Sequence, residues 1–188
     1  MENIAIIKLG ALGDVVRTLP ILLGLKEKFP ESNITWITKE NAKDIVSSSK
    51  HVDSVLTPPS KVKENFDILY NFDVDDEATK LASEIEAKKK YGFYKDGEYV
   101  SAFNFPAEYY LNTIFDDELK KSNKKTYQQM MFDAAELPYK KQHHPINLSE
   151  SEKEYAQKFS KDNKIDQEKL IGIHIGASSK RWPSKSWS

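Results

Sequence analysis

Two stretches of the 188-residue chain bring together residue types that can do chemistry. The first is Lys8-Leu9-Gly10-Ala11-Leu12-Gly13-Asp14, in which two glycines spaced G-x-x-G are followed directly by an aspartate. Asp14 has two readings. It can cap the helix that follows, because a short carboxylate accepts hydrogen bonds from the first free backbone N–H groups. It can instead project into a cleft as a general base that takes a proton from a hydroxyl. The two compete in part, since a carboxylate bound by N–H groups has a lowered pKa and makes a poorer base. The second stretch is Gly176-Ala177-Ser178-Ser179-Lys180-Arg181-Trp182-Pro183. Its glycine lets backbone approach a ligand, Ser178 and Ser179 supply hydroxyl donors, and Lys180 or Arg181 offsets phosphate charge, which makes an anion cradle. A plain surface loop ahead of a capped helix fits these residues equally well.

The first loop departs from the common nucleotide motifs. A Walker A loop needs Lys-Ser/Thr after its last glycine, and Asp14-Val15 stands there instead. A dinucleotide fingerprint needs three glycines, G-x-G-x-x-G, which weighs against a Rossmann-type nucleotide-binding oxidoreductase. An acid in the first turn of a helix also competes with phosphate for the positive end of the dipole. The loop thus suits a neutral hydroxyl better than a pyrophosphate. His143-His144 lacks a third ligand at a workable spacing, so no metal site is expected. Tyr99, Phe103, Phe105, Tyr109 and Tyr110 are read first as satellite core, with a platform for a sugar ring or a lipid-linked acceptor as the alternative.

The elements that must hold these residues follow from the hydrophobic pattern. Ile4–Ile7 reads as a strand buried on both faces at the centre of a parallel sheet. Apolar residues from Val15 to Leu25 then recur at helical spacing, with Pro20 as a kink or a first turn. Strands are expected at Asn33–Thr38, Ser54–Leu56 and Phe66–Phe72, and a short helix at Ala42–Ser49. A helix is expected over Asp75–Lys89, with Lys88-Lys89-Lys90 complementing its C-terminal dipole. Tyr91–Val100 reads as a hairpin around Asp96-Gly97, and Pro106–Phe115 and Thr126–Leu137 as helices. Asp73 stands at a sheet edge suited to a site, or starts the next helix. Ser149 and Glu152 form a capping box for a charged helix to Asn163, which suggests an interdomain linker. Lys169–Ile175 reads as a further strand, and because no partner follows it the sequence reads as cut short.

Composition narrows the class. With 39% hydrophobic and 30% charged residues the chain can build a core. A net charge of −1 offers no electrostatic case for nucleic acid. The absence of cysteine excludes disulfides, thiolate catalysis and zinc–thiolate sites. The first residues, with Glu2 and no basic run, are not expected to be a signal peptide.

KLGALGDVVRTLP at Lys8–Pro20, taken with HIGASSKRWP at His174–Pro183, resembles the ADP-heptose:lipopolysaccharide heptosyltransferases of glycosyltransferase family 9. NITWIT, YGFY and NKKTYQQMMFDAAEL are similar to the same family, so the likeness runs over nearly the whole chain. The resemblance implies an α/β fold, the Rossmann-like N-terminal domain of a GT-B glycosyltransferase, with a parallel sheet flanked by helices. Residues 1–163 would be the acceptor-binding domain, and residues 164–188 a linker with the first strand and loop of a nucleotide-sugar-binding domain. It implies inverting, metal-independent transfer of heptose from ADP-heptose to the lipopolysaccharide inner core, with no cofactor beyond that nucleotide-sugar. Asp14 falls on the family's catalytic base, Ser178, Ser179 and Lys180 on its donor-phosphate contacts, and Gly10 and Gly13 on the supporting loop. The partners implied are the donor and a lipid-linked saccharide acceptor, handled by a cytoplasmic protein in peripheral contact with the inner membrane. Without the rest of the donor half, the chain is expected to be inactive by itself. A stand-alone acceptor-binding module is the alternative.

Overall fold

β1 (Asn3–Ile7) lies inside a six-stranded sheet because four consecutive apolar residues give it two buried faces. The computed structural model describes residues 1–58, 65–165 and 170–173. Ile4 and Ile6 enter one core, and Ala5 and Ile7 the other, the alternation that a strand imposes. β1 pairs in parallel with β2 (Asn33–Ile37) on one side, from Asn3↔Asn33 to Ile7↔Ile37. On its other side it pairs with β4 (Phe66–Asn71), from Ile4↔Ile68 to Ile7↔Asn71. β3 (Ser54–Leu56) lies outside β2, while β5 (Ala87–Asp96) and β6 (Tyr99–Ala102) lie outside β4. The order is β3-β2-β1-β4-β5-β6, and the β5–β6 pair is antiparallel. The chain moves outward through β2 and β3, then returns to the far side of β1. The carboxyl ends of β1 and β4 therefore flank the switch point at which open α/β sheets bind ligands.

Helices cover both faces. α1 (Leu12–Thr18), α2 (Ile21–Lys28) and α3 (Lys43–Ser47) supply Val15, Leu22, Leu25 and Val46 to the larger core. α4 (Asp76–Glu84) supplies Ala78 and Ala82 to the core on the opposite face. The helical pattern Val15–Leu25 is interrupted where Pro20, which has no N–H to donate, becomes the N-cap of α2. α5 (Phe105–Phe115), α6 (Asp117–Ser122) and α7 (Tyr127–Ala134) follow β6, and α7 adds Met130, Met131 and Phe132 to the larger core.

The helix expected over Asp75–Lys89 stops at Glu84, and Ala87-Lys88-Lys89-Lys90 begin β5. Pairing with β4 decides this: Lys88 bonds Asp67 of β4 at 2.7 Å, and Phe66 opposes Ala87. Lys90 still serves α4, because its Nζ donates to the late carbonyls of Ala82 (2.9 Å) and Ser83 (3.3 Å) from the strand. β5 changes partner at Gly92, the last residue paired with β4, and is joined to β6 from Phe93 onward. Gly92 has φ +87, and a Cβ there would stand 1.9 Å from the Asn71 carbonyl oxygen, so only glycine fits this bend. The hairpin is closed by Gly97 (φ 59) and Glu98.

The chain divides into compact units Met1–Asn147 and Leu148–Ser188. All six strands and α1–α7 are in the first. In the second, α8 (Glu150–Asp162) opens with the capping box read from the sequence: Glu152 N donates to Ser149 Oγ, and Ser149 N to Glu152 Oε2. Of the strand expected at Lys169–Ile175, Leu170–Ile173 are described and carry no regular structure; the remainder lies outside the described residues. No helix among the described residues is long and apolar enough to cross a membrane.

Candidate functional site

The turn from β1 into α1 and the turn after β4 meet at the switch point, and a buried ion pair joins them. Lys8 leaves the end of β1 and Asp73 follows β4; their side chains are 5% and 7% exposed, with Nζ 3.3 Å from Oδ1. Lys8 Nζ also donates to the Phe72 carbonyl at 3.0 Å. The other Asp73 oxygen, Oδ2, accepts the backbone N–H of Leu9 (2.9 Å) and of Gly10 (2.6 Å). Buried Asn71 fixes this turn: its Oδ1 accepts the Asp73 N–H at 3.0 Å, and its Nδ2 donates to the carbonyls of Asp73 (3.0 Å) and Phe93 (2.7 Å). Thr38, directly after β2, donates from Oγ1 to the Lys8 carbonyl at 2.8 Å.

Two consecutive N–H groups where a strand end enters a glycine turn are what a phosphate would seek. Here an internal carboxylate occupies them. The loop is thereby committed to positioning, in agreement with its mismatch to the nucleotide motifs. Gly10 sits close to both acids: a Cβ there would stand a tight 3.2 Å from Asp73 Oδ2 and 3.4 Å from Asp14 Oδ2.

Asp14 is not the helix cap. The N-cap of α1 is Ala11, without a side-chain hydrogen bond, and Asp14 is the third residue of the first turn. The helix starts at Leu12 and takes in Gly13, so the connecting loop is shorter than Gly10–Gly13. The Asp14 carboxylate is 38% exposed, with Oδ1 2.8 Å from Nη2 of Arg17 one turn along. Arg17 sits over the Tyr127 ring, its Cζ 3.7 Å from the centroid. Thr18 ties the same corner together, donating to the Asp14 carbonyl at 2.7 Å and meeting the Tyr127 hydroxyl at 3.1 Å. Tyr110 stands edge-on to Tyr127 at 5.9 Å. Burial pushes the Tyr110 phenol up to about 12; Tyr127, Asp14 and Asp73 add to the rise, and the Arg17 charge opposes it. The phenol stays protonated at neutral pH.

Of the two carboxylates at the switch point, Asp73 is enclosed and fully engaged, whereas Asp14 is presented to solvent with one oxygen on Arg17. Of the two, Asp14 is the one open to a solvent-borne group without dismantling the turn. Ser178, Ser179 and Lys180 lie outside the described residues. The sequence does not single out Lys8, Arg17 or Tyr127 as site residues, and it places Asp73 at a sheet edge suited to a site or at a helix start. A pairing signal was nevertheless present, since a lysine directly after one buried strand and an aspartate directly after another are complementary when the strands lie side by side. The aromatic region divides. Phe103 stacks on Tyr94 (4.5 Å) and Tyr110 packs on Phe93 (5.6 Å), while Tyr99 and Phe105 remain exposed. Among the described residues no group of three His, Asp or Glu side chains could hold a metal ion.

No family model matches the chain. It is 28% identical over 104 residues to the lipopolysaccharide core heptosyltransferase OpsX of Haemophilus influenzae, which covers 49% of this chain and 30% of that protein. Its fold matches the crystal structure of a glycosyl transferase family 9 protein from Veillonella parvula, with a TM-score of 0.70 and 20% identity, covering 100% of this chain and 56% of that one. A looser match, TM-score 0.48 at 14% identity over 76% of this chain and 51% of the other, is the Escherichia coli heptosyltransferase WaaC with ADP-2-deoxy-2-fluoro heptose. The chain thus spans about half or less of the proteins it resembles. The likeness to glycosyltransferase family 9 is shared by sequence and fold, and the α/β, Rossmann-like architecture is the one expected for the N-terminal domain of a GT-B enzyme.

Proposed function

We propose that this chain carries the acceptor site and the general base of an inverting glycosyltransferase that moves heptose from ADP-heptose to the lipopolysaccharide inner core. The observation that carries the proposal is the division of labour at the switch point: the Leu9 and Gly10 N–H groups are spent on Asp73, and Asp14 is left as the presented carboxylate. Asp14 takes the proton of the acceptor hydroxyl as that oxygen forms a bond to the anomeric carbon. The bond from that carbon to the diphosphate breaks on the opposite face, and ADP departs with the electron pair. Ser178, Ser179 and Lys180 are the groups we assign to the developing charge on the diphosphate. No cofactor or metal is invoked. On this reading residues 1–163 serve the acceptor and residues 164–188 lead toward the donor. The work is done at the cytoplasmic face of the inner membrane, and a lipid-linked acceptor would bring the protein into peripheral contact with it.

The test is ADP release from ADP-heptose by the full-length protein in the presence of a lipid A–core saccharide. Asp14→Asn is expected to lower kcat by about two to four orders of magnitude, the range for loss of a general base, with acceptor KM nearly unchanged. Turnover near that of the parent would remove Asp14 from the mechanism. Separate titrations of the full-length protein with ADP and with the acceptor address the alternative. Acceptor binding with no ADP binding by the full-length protein would favour a module that does not catalyse.

A further inference from the structure

Outside the switch-point crevice, a cavity of about 520 Å³ opens between one face of α5 and the two ends of α7. Its volume is that of a small-molecule site, which typically falls at about 300–1,000 Å³. Phe105, Glu108, Tyr109 and Asn112 line one wall at i, i+3, i+4 and i+7, the spacing of a single helix face. The Tyr109 ring is fixed there, because its hydroxyl donates to Asn123 Oδ1 at 2.9 Å and Lys125 Nζ sits 4.7 Å from its centroid. Phe105 is 82% exposed at the first helical residue, an aromatic ring held open to the cavity mouth.

The facing wall carries charge. Lys125 bonds Asp133 at 2.7 Å and so has its charge offset. Glu108 and Glu136 add two more carboxylates, which leaves the lining with an excess of negative charge. Glu136 stands at φ 53 as the residue after the C-cap of α7. Its N–H reaches the Asp133 carbonyl and that of Leu137 the Phe132 carbonyl, the hydrogen-bond pair of a Schellman ending. Glycine is the usual residue in that left-handed position. Here a carboxylate occupies it, on the cavity wall, with Oε1 accepting from Asn104 Nδ2 at 3.1 Å.

We propose that this cavity binds a sugar ring that bears free hydroxyls and no acidic substituent, with an amino sugar favoured over a neutral one. Hydroxyl and ammonium groups donate to Glu108, Glu136 and the side-chain amide oxygen of Asn112, while the apolar C–H face of the ring lies on the exposed Phe105 ring. An acyl chain would strip water from the carboxylates and return no donors, and a nucleotide or uronic acid would meet like charge. The need for a second saccharide contact rests on the saccharide-acceptor reading above. The test involves no catalysis, so its failure would leave the role of Asp14 untouched.

The test is an amide chemical-shift titration of the 188-residue chain with glucose, glucosamine, glucuronate and ADP at one ionic strength. Glucose and glucosamine are expected to shift α5 amides and those of Glu136 and Leu137 in the millimolar range, with glucosamine the tighter and glucuronate at least tenfold weaker than glucosamine. Phe105→Ala, at an exposed position that leaves the fold intact, should weaken both sugars severalfold. Glu108→Gln should narrow the preference for glucosamine over glucose. The proposal is overturned if neither sugar shifts these amides, if glucuronate or ADP binds there as well as glucosamine, or if Phe105→Ala leaves sugar affinity unchanged.

Discussion

Replacing Asp73 by alanine is the most direct probe of what holds the switch point together. The substitution removes the partner of an ammonium only 5% exposed, leaving Lys8 with the Phe72 carbonyl as its acceptor, and it orphans the Leu9 and Gly10 N–H groups. Breaking a buried ion pair on one side costs about 3–5 kcal/mol, because the remaining charge is uncompensated. A domain stable by about 5–15 kcal/mol would lose roughly a fifth or more of that margin. At about 2–4 °C per kcal/mol for a chain of this size, Tm should fall by roughly 10 °C. Urea and thermal unfolding followed by circular dichroism measure the loss. Lys8→Met in the same chain is the control: with both charges gone, the double variant should be more stable than the sum of the single losses by at least about 1 kcal/mol. A loss below about 1 kcal/mol for Asp73→Ala, or strict additivity in the double variant, would show that the pair is not what fixes the turn.

Gly92→Ala should be among the most damaging single changes in the chain, costing about 4 kcal/mol or more, since its Cβ would fall 1.9 Å from the Asn71 oxygen; loss of a cooperative unfolding transition is the readout. The Tyr110 phenol, raised to about 12, is above its unfolded value near 10. Its contribution to stability is therefore full below about pH 10 and lost as pH rises through about 12, and Tyr110→Phe should flatten that alkaline decline in urea midpoints. Asp14→Asn should change stability by less than about 1 kcal/mol, because its ion pair with Arg17 is half exposed and screened; a large drop in Tm would turn any activity loss into a folding effect.

Much of the scaffold was legible because its signals are local. Ile4–Ile7, Asn33–Ile37 and Phe66–Asn71 announce buried strands by continuous or β-branched apolar runs, and Ser149 with Glu152 makes a cap that involves four residues in a row. The Ala87–Lys90 segment misled for the same reason. Local charge made it the end of a helix, and pairing with Phe66–Asn71, a neighbour distant in sequence, made it a strand. Asp14 was read as a cap or a base, and the fold decided against the cap by starting the helix two residues earlier, at Leu12. α6 went unread because six mostly charged residues give no hydrophobic period to detect.

By itself the sequence determined a parallel α/β sheet with its first strand in the interior, a glycine turn ending in an acid, and a likeness to glycosyltransferase family 9. Tertiary structure alone decided which of two aspartates faces solvent. Asp73 lies 64 positions from Leu9, so no window of sequence reveals that it holds the Leu9 and Gly10 N–H groups. Burial of an ion pair and saturation of a carboxylate depend on which strand ends lie side by side. That adjacency is set by sheet order, a property that no single segment carries.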